Sequence, residues 1–256
     1  MRTRDPVDDI AYWDCNVMVG LPPSGVRVAC PDADALLREM DWAGVQGALV
    51  YHVVMQYGAP IQGNPLACEV ASASPRLHGT WALLPPSTAE LPTGDAFFSA
   101  LKEHDVRALW AFPGQHRYSP NRVTMGSLLD EVSERRIPVL MPCSDGWAPI
   151  GELLADYPRL VLVTIGHGPW GEDRYFRPLM DAYEHLHLGI SRYELSGGLA
   201  ELVQRYGPDR LLYGSGYPRW SMGGPRLMLA RAEIDDAARR RIAGGNLKRL
   251  LEEAEL

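Results

Sequence analysis

No apolar run in this 256-residue sequence approaches the ~20 residues that a membrane-spanning helix needs. The first nine residues are charged and have no apolar centre, so they do not read as a secretory signal. Positive charge is also scarce. Lys and Arg number 25 against 32 Asp and Glu, for a net charge of −7. That balance argues against nucleic acid or an anionic membrane as a general partner. There are only four cysteines, Cys15, Cys30, Cys68 and Cys143, and none stands at the short spacing of a zinc knuckle or a redox motif. Free thiols in a reducing cytoplasm are the expectation. No Gly-x-Gly-x-x-Gly follows the first strand candidate, which removes the usual support for a dinucleotide-binding fold. Low-complexity segments are absent.

What the sequence does contain is a regular beat of short apolar strands and amphipathic helices. Ile10 to Val19 reads as a strand. Asp32 then caps a helix whose apolar positions Leu36, Leu37, Met40 and Ala43 recur at helical spacing, and Gly44 stands where such a helix stops. Residues 47–54 form a second strand, apolar throughout, as expected of a strand buried on both faces. Further strands are expected at 79–84, 106–112, 138–141, 160–165, 187–190 and 211–213, with helices between them and a closing helix over 234–253. Strands alternating with helices imply a parallel sheet, and eight such units in about 250 residues imply one closed (β/α)8 barrel, a single domain over 1–256. Long loops are expected at 56–63, 114–122 and 219–224.

In a barrel of this kind, function sits at the C-terminal ends of the strands. The first strand offers Asp14, Asn16 and Met18, whose alternation predicts one shared face. The other ends offer His52, Trp81, Trp110, Cys143, His167, Arg192, Ser215 and Tyr217. Trp81, Trp110, Trp147, Trp170 and Trp220 point to an aromatic pocket lining, some of it ordinary core.

The order and spacing of several segments resemble the amidohydrolase-related family of the amidohydrolase superfamily. These are residues 37–45, Ile137-Pro138-Val139, Tyr157-Pro158-Arg159-Leu160 leading to His167, residues 207–215 and residues 245–251. The resemblance implies a metal-dependent hydrolase or a nonoxidative decarboxylase. It also implies an Asp-x-His-x-His run on the first strand, which here reads Asp14-Cys15-Asn16-Val17-Met18. The family's fifth-strand histidine falls near Pro142, its sixth-strand histidine is His167, and its proton-accepting aspartate on the eighth strand falls on Gly216. A catalytic zinc needs about three nitrogen, sulfur or oxygen ligands plus an open position. Loss of most of that set predicts a protein with no cofactor and no metal ligands, although a remodelled site from Asp14, Cys143 and His167 can be drawn.

Two functions follow from this. The first is an enzyme on a small carboxylate, lactone or amide, working by hydrolysis or a related acid–base step. His167 would be its general acid/base, tuned by Asp14, with Asn16, His52, Trp110, Cys143, Arg192 and Tyr217 around the substrate. The second is a catalytically inactive relative that binds a small molecule or a partner protein. Each residue also has a plainer reading. Asp14 could orient a neighbour, His52 could pack beside the pocket, Cys143 could be a small buried thiol, and Arg192 could pair with Glu194 or Asp145. A homodimer is expected from exposed tryptophans and the resemblance.

Overall fold

The computed structural model describes residues 10–24, 28–168 and 171–256. The sequence supplies clear stop and start signals, and the chain obeys them. Asp32 accepts a hydrogen bond from the Ala35 N–H at 2.8 Å, capping α1 (Ala33–Ala43). Gly44 ends the helix at φ 67°, a left-handed conformation that glycine adopts without strain. Leu36, Met40 and Ala43 form the buried stripe of α1.

Nine parallel strands are formed among the described residues: β1 (Tyr12–Val19), β2 (Val45–His52), β3 (Leu77–Gly79), β4 (Trp81–Ala82), β5 (Leu109–Trp110), β6 (Val139–Pro142), β7 (Leu162–Ile165), β8 (Leu186–Gly189) and β9 (Leu211–Leu212). They pair in the orders β1-β2-β3 and β4-β5-β6-β7-β8-β9. β3 and β4 are successive halves of one stave, so the strands make the eight staves of a (β/α)8 barrel. Closure between the first and last staves comes from Cys15 N–H donating to the Tyr213 carbonyl (3.0 Å), Met18 N–H to the Tyr217 carbonyl (2.9 Å) and Gly216 N–H to the Asn16 carbonyl (3.0 Å). Two apolar layers follow. One fills the barrel interior, with Cys15, Met18, Leu49, Tyr51, Trp110 and Val163 among its members. The other lies between staves and helices, with Tyr12, Val17, Leu36, Leu162 and Phe176.

The remaining helices are α2 (Val53–Tyr57), α3 (Pro60–Ser72), α4 (Asp95–Glu103), α5 (Pro113–His116), α6 (Arg122–Met125), α7 (Ser127–Glu134), α8 (Ala148–Asp156), α9 (Asp173–Ala182), α10 (Gly198–Tyr206), α11 (Gly223–Arg231), α12 (Asp236–Arg240) and α13 (Asn246–Glu253). None of the described helices is long and apolar enough to cross a membrane.

Four local expectations change. The stretch 56–63 is not an open loop: α2 and α3 occupy most of it, with Pro60 at the first helical position, where its missing N–H costs nothing. The stretch 114–122 is partly helical too, since α5 runs to His116 and α6 starts at Arg122. Residues 223 and 224 open α11 rather than ending a loop. The closing helix is broken by a wider turn over Arg241–Gly245, where Gly244 lies so close to β1 that an added Cβ would stand 2.8 Å from the Ala11 carbonyl oxygen.

Candidate functional site at the strand ends

β1 does not present Asp14, Asn16 and Met18 on one face. The pairing of β1 with β2 slips between Asp14 and Val17, a bulge that puts Cys15 and Met18, three residues apart, into the same interior layer. Asp14 points instead toward the seam with the last stave. Its Oδ1 accepts two backbone hydrogen bonds, from Asn16 N–H and Ser215 N–H, each at 2.9 Å. Ser215 Oγ accepts in turn from Tyr217 N–H at 3.0 Å. Asp14 is fully buried, and burial pushes its pKa up to about 6 against the opposing pull of the Ser215 hydroxyl and those two backbone bonds. Its Oδ2 makes no well-formed hydrogen bond among the described residues. The arrangement is a clamp across the barrel seam.

His167 follows Gly166, whose φ of 82° turns the chain at the end of β7. The imidazole lies among aromatic rings, with centroids 5.3 Å from Phe176, 5.6 Å from Tyr193 and 6.3 Å from Trp147. Phe176 belongs to α9, so the ring faces the layer between staves and helices. The walls of this box are pinned: Trp147 Nε1–H donates to Glu172 at 2.8 Å, and Tyr193 O–H donates to Asp173 at 3.1 Å. Asp173 is itself paired with Arg177 at 2.8 Å. Among the described residues neither His167 ring nitrogen makes a well-formed hydrogen bond. Burial pulls its pKa down to about 4, opposed by the negative charges of Glu172 and Asp173 and by the Gly189 backbone. Asp14 thus sits in the seam with the last stave, and His167 in a box of rings.

The interior at the strand ends is filled by rings. Tyr51 and Trp110 lie 4.7 Å apart, and Trp110 stacks on Phe112 at 5.1 Å with only 4° between their planes. Such pairs add stability beyond their buried area. α2 packs beside these strand ends against α5 and β4. Met18, Tyr51, Trp110 and Phe112 are all buried.

Of the other expected site residues, Asn16 and Arg192 both lie by the Gly216–Trp220 turn. His52 caps α2, its Nδ1 accepting from Val54 N–H at 3.3 Å. Asn16 is buried beside the turn at Gly216, and a Cβ on Gly216 would stand 3.6 Å from Asn16 Nδ2. Burial drives the Cys143 thiol well above its ordinary range, so it is not a thiolate at neutral pH. Arg192 is exposed and lies over the Trp220 ring at 4.6 Å. Tyr217 is buried, its hydroxyl pushed up to about 12 by burial. Trp81 is core, packed 6.3 Å from Phe97, while Trp170 lies outside the described residues. Glu172 and Phe176, which complete the His167 box, were not among the sequence candidates. Their signal was the start of the helix after the His167 strand.

A family model described as Amidohydrolase matches residues 24–252. No curated protein sequence matches the chain. Solved structures share the barrel. An uncharacterised TIM-barrel protein from Bordetella bronchiseptica superimposes with a TM-score of 0.73 at 20% identity, covering 96% of this chain and 99% of its own. The 5-carboxyvanillate decarboxylase of Sphingomonas paucimobilis gives 0.68 at 13% identity, covering 95% and 99%. A dihydroxybenzoic acid decarboxylase from Polaromonas, with bound manganese and the inhibitor 2-nitroresorcinol, gives 0.67 at 15% identity, covering 95% and 97%.

The manganese in that neighbour corrects the expectation of a protein without a cofactor. The same barrel carries a divalent ion there, so replaced ligand positions on one strand do not license a metal-free reading of the chain. The side chains at the positions the resemblance singles out do not fit such an ion as they stand. Met18 is packed in the apolar interior, Gly216 has no side chain, and among the described residues no three His, Cys, Asp or Glu side chains gather around one point.

Proposed function

Because this chain belongs to the amidohydrolase family, we propose that it is a member whose strand-end site has been given over to packing, and that it binds a small molecule rather than catalysing hydrolysis or decarboxylation there. The observation that carries this is the burial of Met18, Tyr51, Trp110 and Phe112 in one apolar, ring-stacked mass where a substrate would have to enter. A general acid/base must come within hydrogen-bond reach of its substrate. His167 is enclosed by Trp147, Phe176 and Tyr193, and Asp14 is used by the barrel seam. Four free cysteines fit a reducing, cytoplasmic setting for such a protein.

The test is a turnover screen of the purified protein with manganese added, using dihydroxybenzoates, 5-carboxyvanillate, lactones and amides. No product above the buffer rate is expected. Turnover of any of them overturns the proposal in favour of a second reading. That reading rests on the His167 nitrogens and Asp14 Oδ2, which make no well-formed hydrogen bond among the described residues and are buried polar atoms of the kind that active sites keep. In that event His167→Asn abolishes the turnover while the protein stays folded.

A further inference from the structure

A cavity lies beside α1 and the turn that follows β9. Its volume is about 390 Å³, within the range of roughly 300–1,000 Å³ typical of small-molecule sites. Trp42, Tyr217 and Trp220 supply aromatic walls, and Glu39 and Ser221 supply the polar atoms; Val28 and Pro218 complete the lining. Glu39 and Trp42 are three apart on α1 and so share a face of the helix.

Three features set this cavity apart. The first is its charge: among the described residues, one carboxylate and no cationic side chain line it. Arg192 lies over the Trp220 ring at 4.6 Å but is not part of the lining. The second is that Glu39 has no salt-bridge or hydrogen-bond partner among the described residues, and burial alone raises its pKa. The negative charge of Glu39 acts on the Tyr217 hydroxyl, as expected of two groups facing one space. The third is the exposure of two large rings: Trp42 is 74% and Trp220 49% exposed, a cost that packing does not explain.

An electron-rich ring face attracts a cation, and most strongly a poorly hydrated one. Three of the seven lining residues are aromatic, which favours a weakly hydrated methylated head over a strongly hydrated primary ammonium. We propose that this cavity is a binding site for a small quaternary ammonium ion, with Trp42, Trp220 and Tyr217 surrounding the methylated head and Glu39 balancing its charge. The site stands whether or not the strand-end interior is catalytic, because its residues are not shared with His167 or Asp14.

Calorimetric titration of the full-length protein with choline tests it, with ethanolamine and the neutral isostere 3,3-dimethylbutan-1-ol as the other arms. Saturable binding of choline is expected, with ethanolamine weaker and the neutral alcohol weaker still. Glu39→Gln keeps the side-chain shape and should weaken choline about tenfold, which corresponds to roughly 1.4 kcal/mol. Trp42→Ala should weaken it about three- to fivefold, with an unchanged circular dichroism spectrum because the ring is largely exposed. The proposal is overturned by an absence of choline binding, by equal binding of the neutral alcohol, by tighter binding of ethanolamine, or by folded variants that bind choline as the parent does.

Discussion

At the scale of single residues, Asp14 is the group whose role the fold defines most sharply. It accepts two backbone N–H groups across the barrel seam, and either a carboxylate or an amide oxygen can do that. Burial makes its ionised form costly. The sign follows from the native pKa of about 6 lying above the ordinary 3.8: the native state holds the proton more tightly, so this group favours folding at low pH and opposes it once ionised. The penalty at pH 8 is on the order of 3 kcal/mol. Asp14→Asn keeps the Oδ1 acceptor and removes the charge, and should leave the protein at least as stable at pH 8. Asp14→Ala leaves two buried N–H groups unpaired, each costing roughly 1–3 kcal/mol, and should lower stability clearly. Urea unfolding at pH 8 distinguishes them, and equal losses in the two variants would remove the seam assignment. The sequence marked Asp14 as special because it stands near a strand end. It could not place the side chain, since period-two alternation assumes an unbroken strand and the slip between Asp14 and Val17 breaks it. The surroundings of His167 were not legible either: the ring follows a glycine at φ 82° and packs against Phe176 of α9, which is distant from any strand pattern.

At the scale of elements, local grammar served well where capping signals are strong and poorly where tertiary packing decides. Asp32 and Gly44 bound α1 as the sequence implies. The stretch after β2 looked like a loop, because Gly58 and Pro60 are turn residues, yet two helices form there and lie beside the strand ends. Alternation along one stave puts Trp110 and Phe112 on a shared face, but no periodicity reveals that Tyr51, from another stave, would join them. Trp110→Ala would open a hole in this stack. Core Trp→Ala changes cost about 3–5 kcal/mol, and a loss of that order is expected by chemical denaturation. A loss below about 1 kcal/mol would mean that the rings are loosely held and the interior more accessible than its burial implies.

At the scale of the whole molecule, pH dependence sums groups that pull in opposite directions. His167 and His187 both have native pKa values of about 4, below the ordinary 6.5, because burial disfavours their charged forms. As pH falls from 6.5 toward 4 the unfolded chain takes up protons that the native one refuses, so each histidine removes up to about 3 kcal/mol of stability. Asp14 works the other way between 6 and 3.8 but is outnumbered. The thermal midpoint should therefore be lower at pH 4.5 than at pH 7. His167→Phe suits a box of rings and should reduce that difference; an unchanged difference would show that the imidazole reaches solvent.

The seam has one more consequence. Asp14 and Ser215 are 201 positions apart in the chain, and Tyr213 N–H is held in turn by the Ile242 carbonyl at 2.8 Å. During synthesis the first stave emerges long before its last neighbour exists, and it must wait with one edge unpaired. Contacts of such sequence separation form slowly, because the loop entropy is paid before they reward it. The barrel is thus sealed late, by residues beyond 211, and until then the nascent chain presents an open sheet edge that is prone to mispairing.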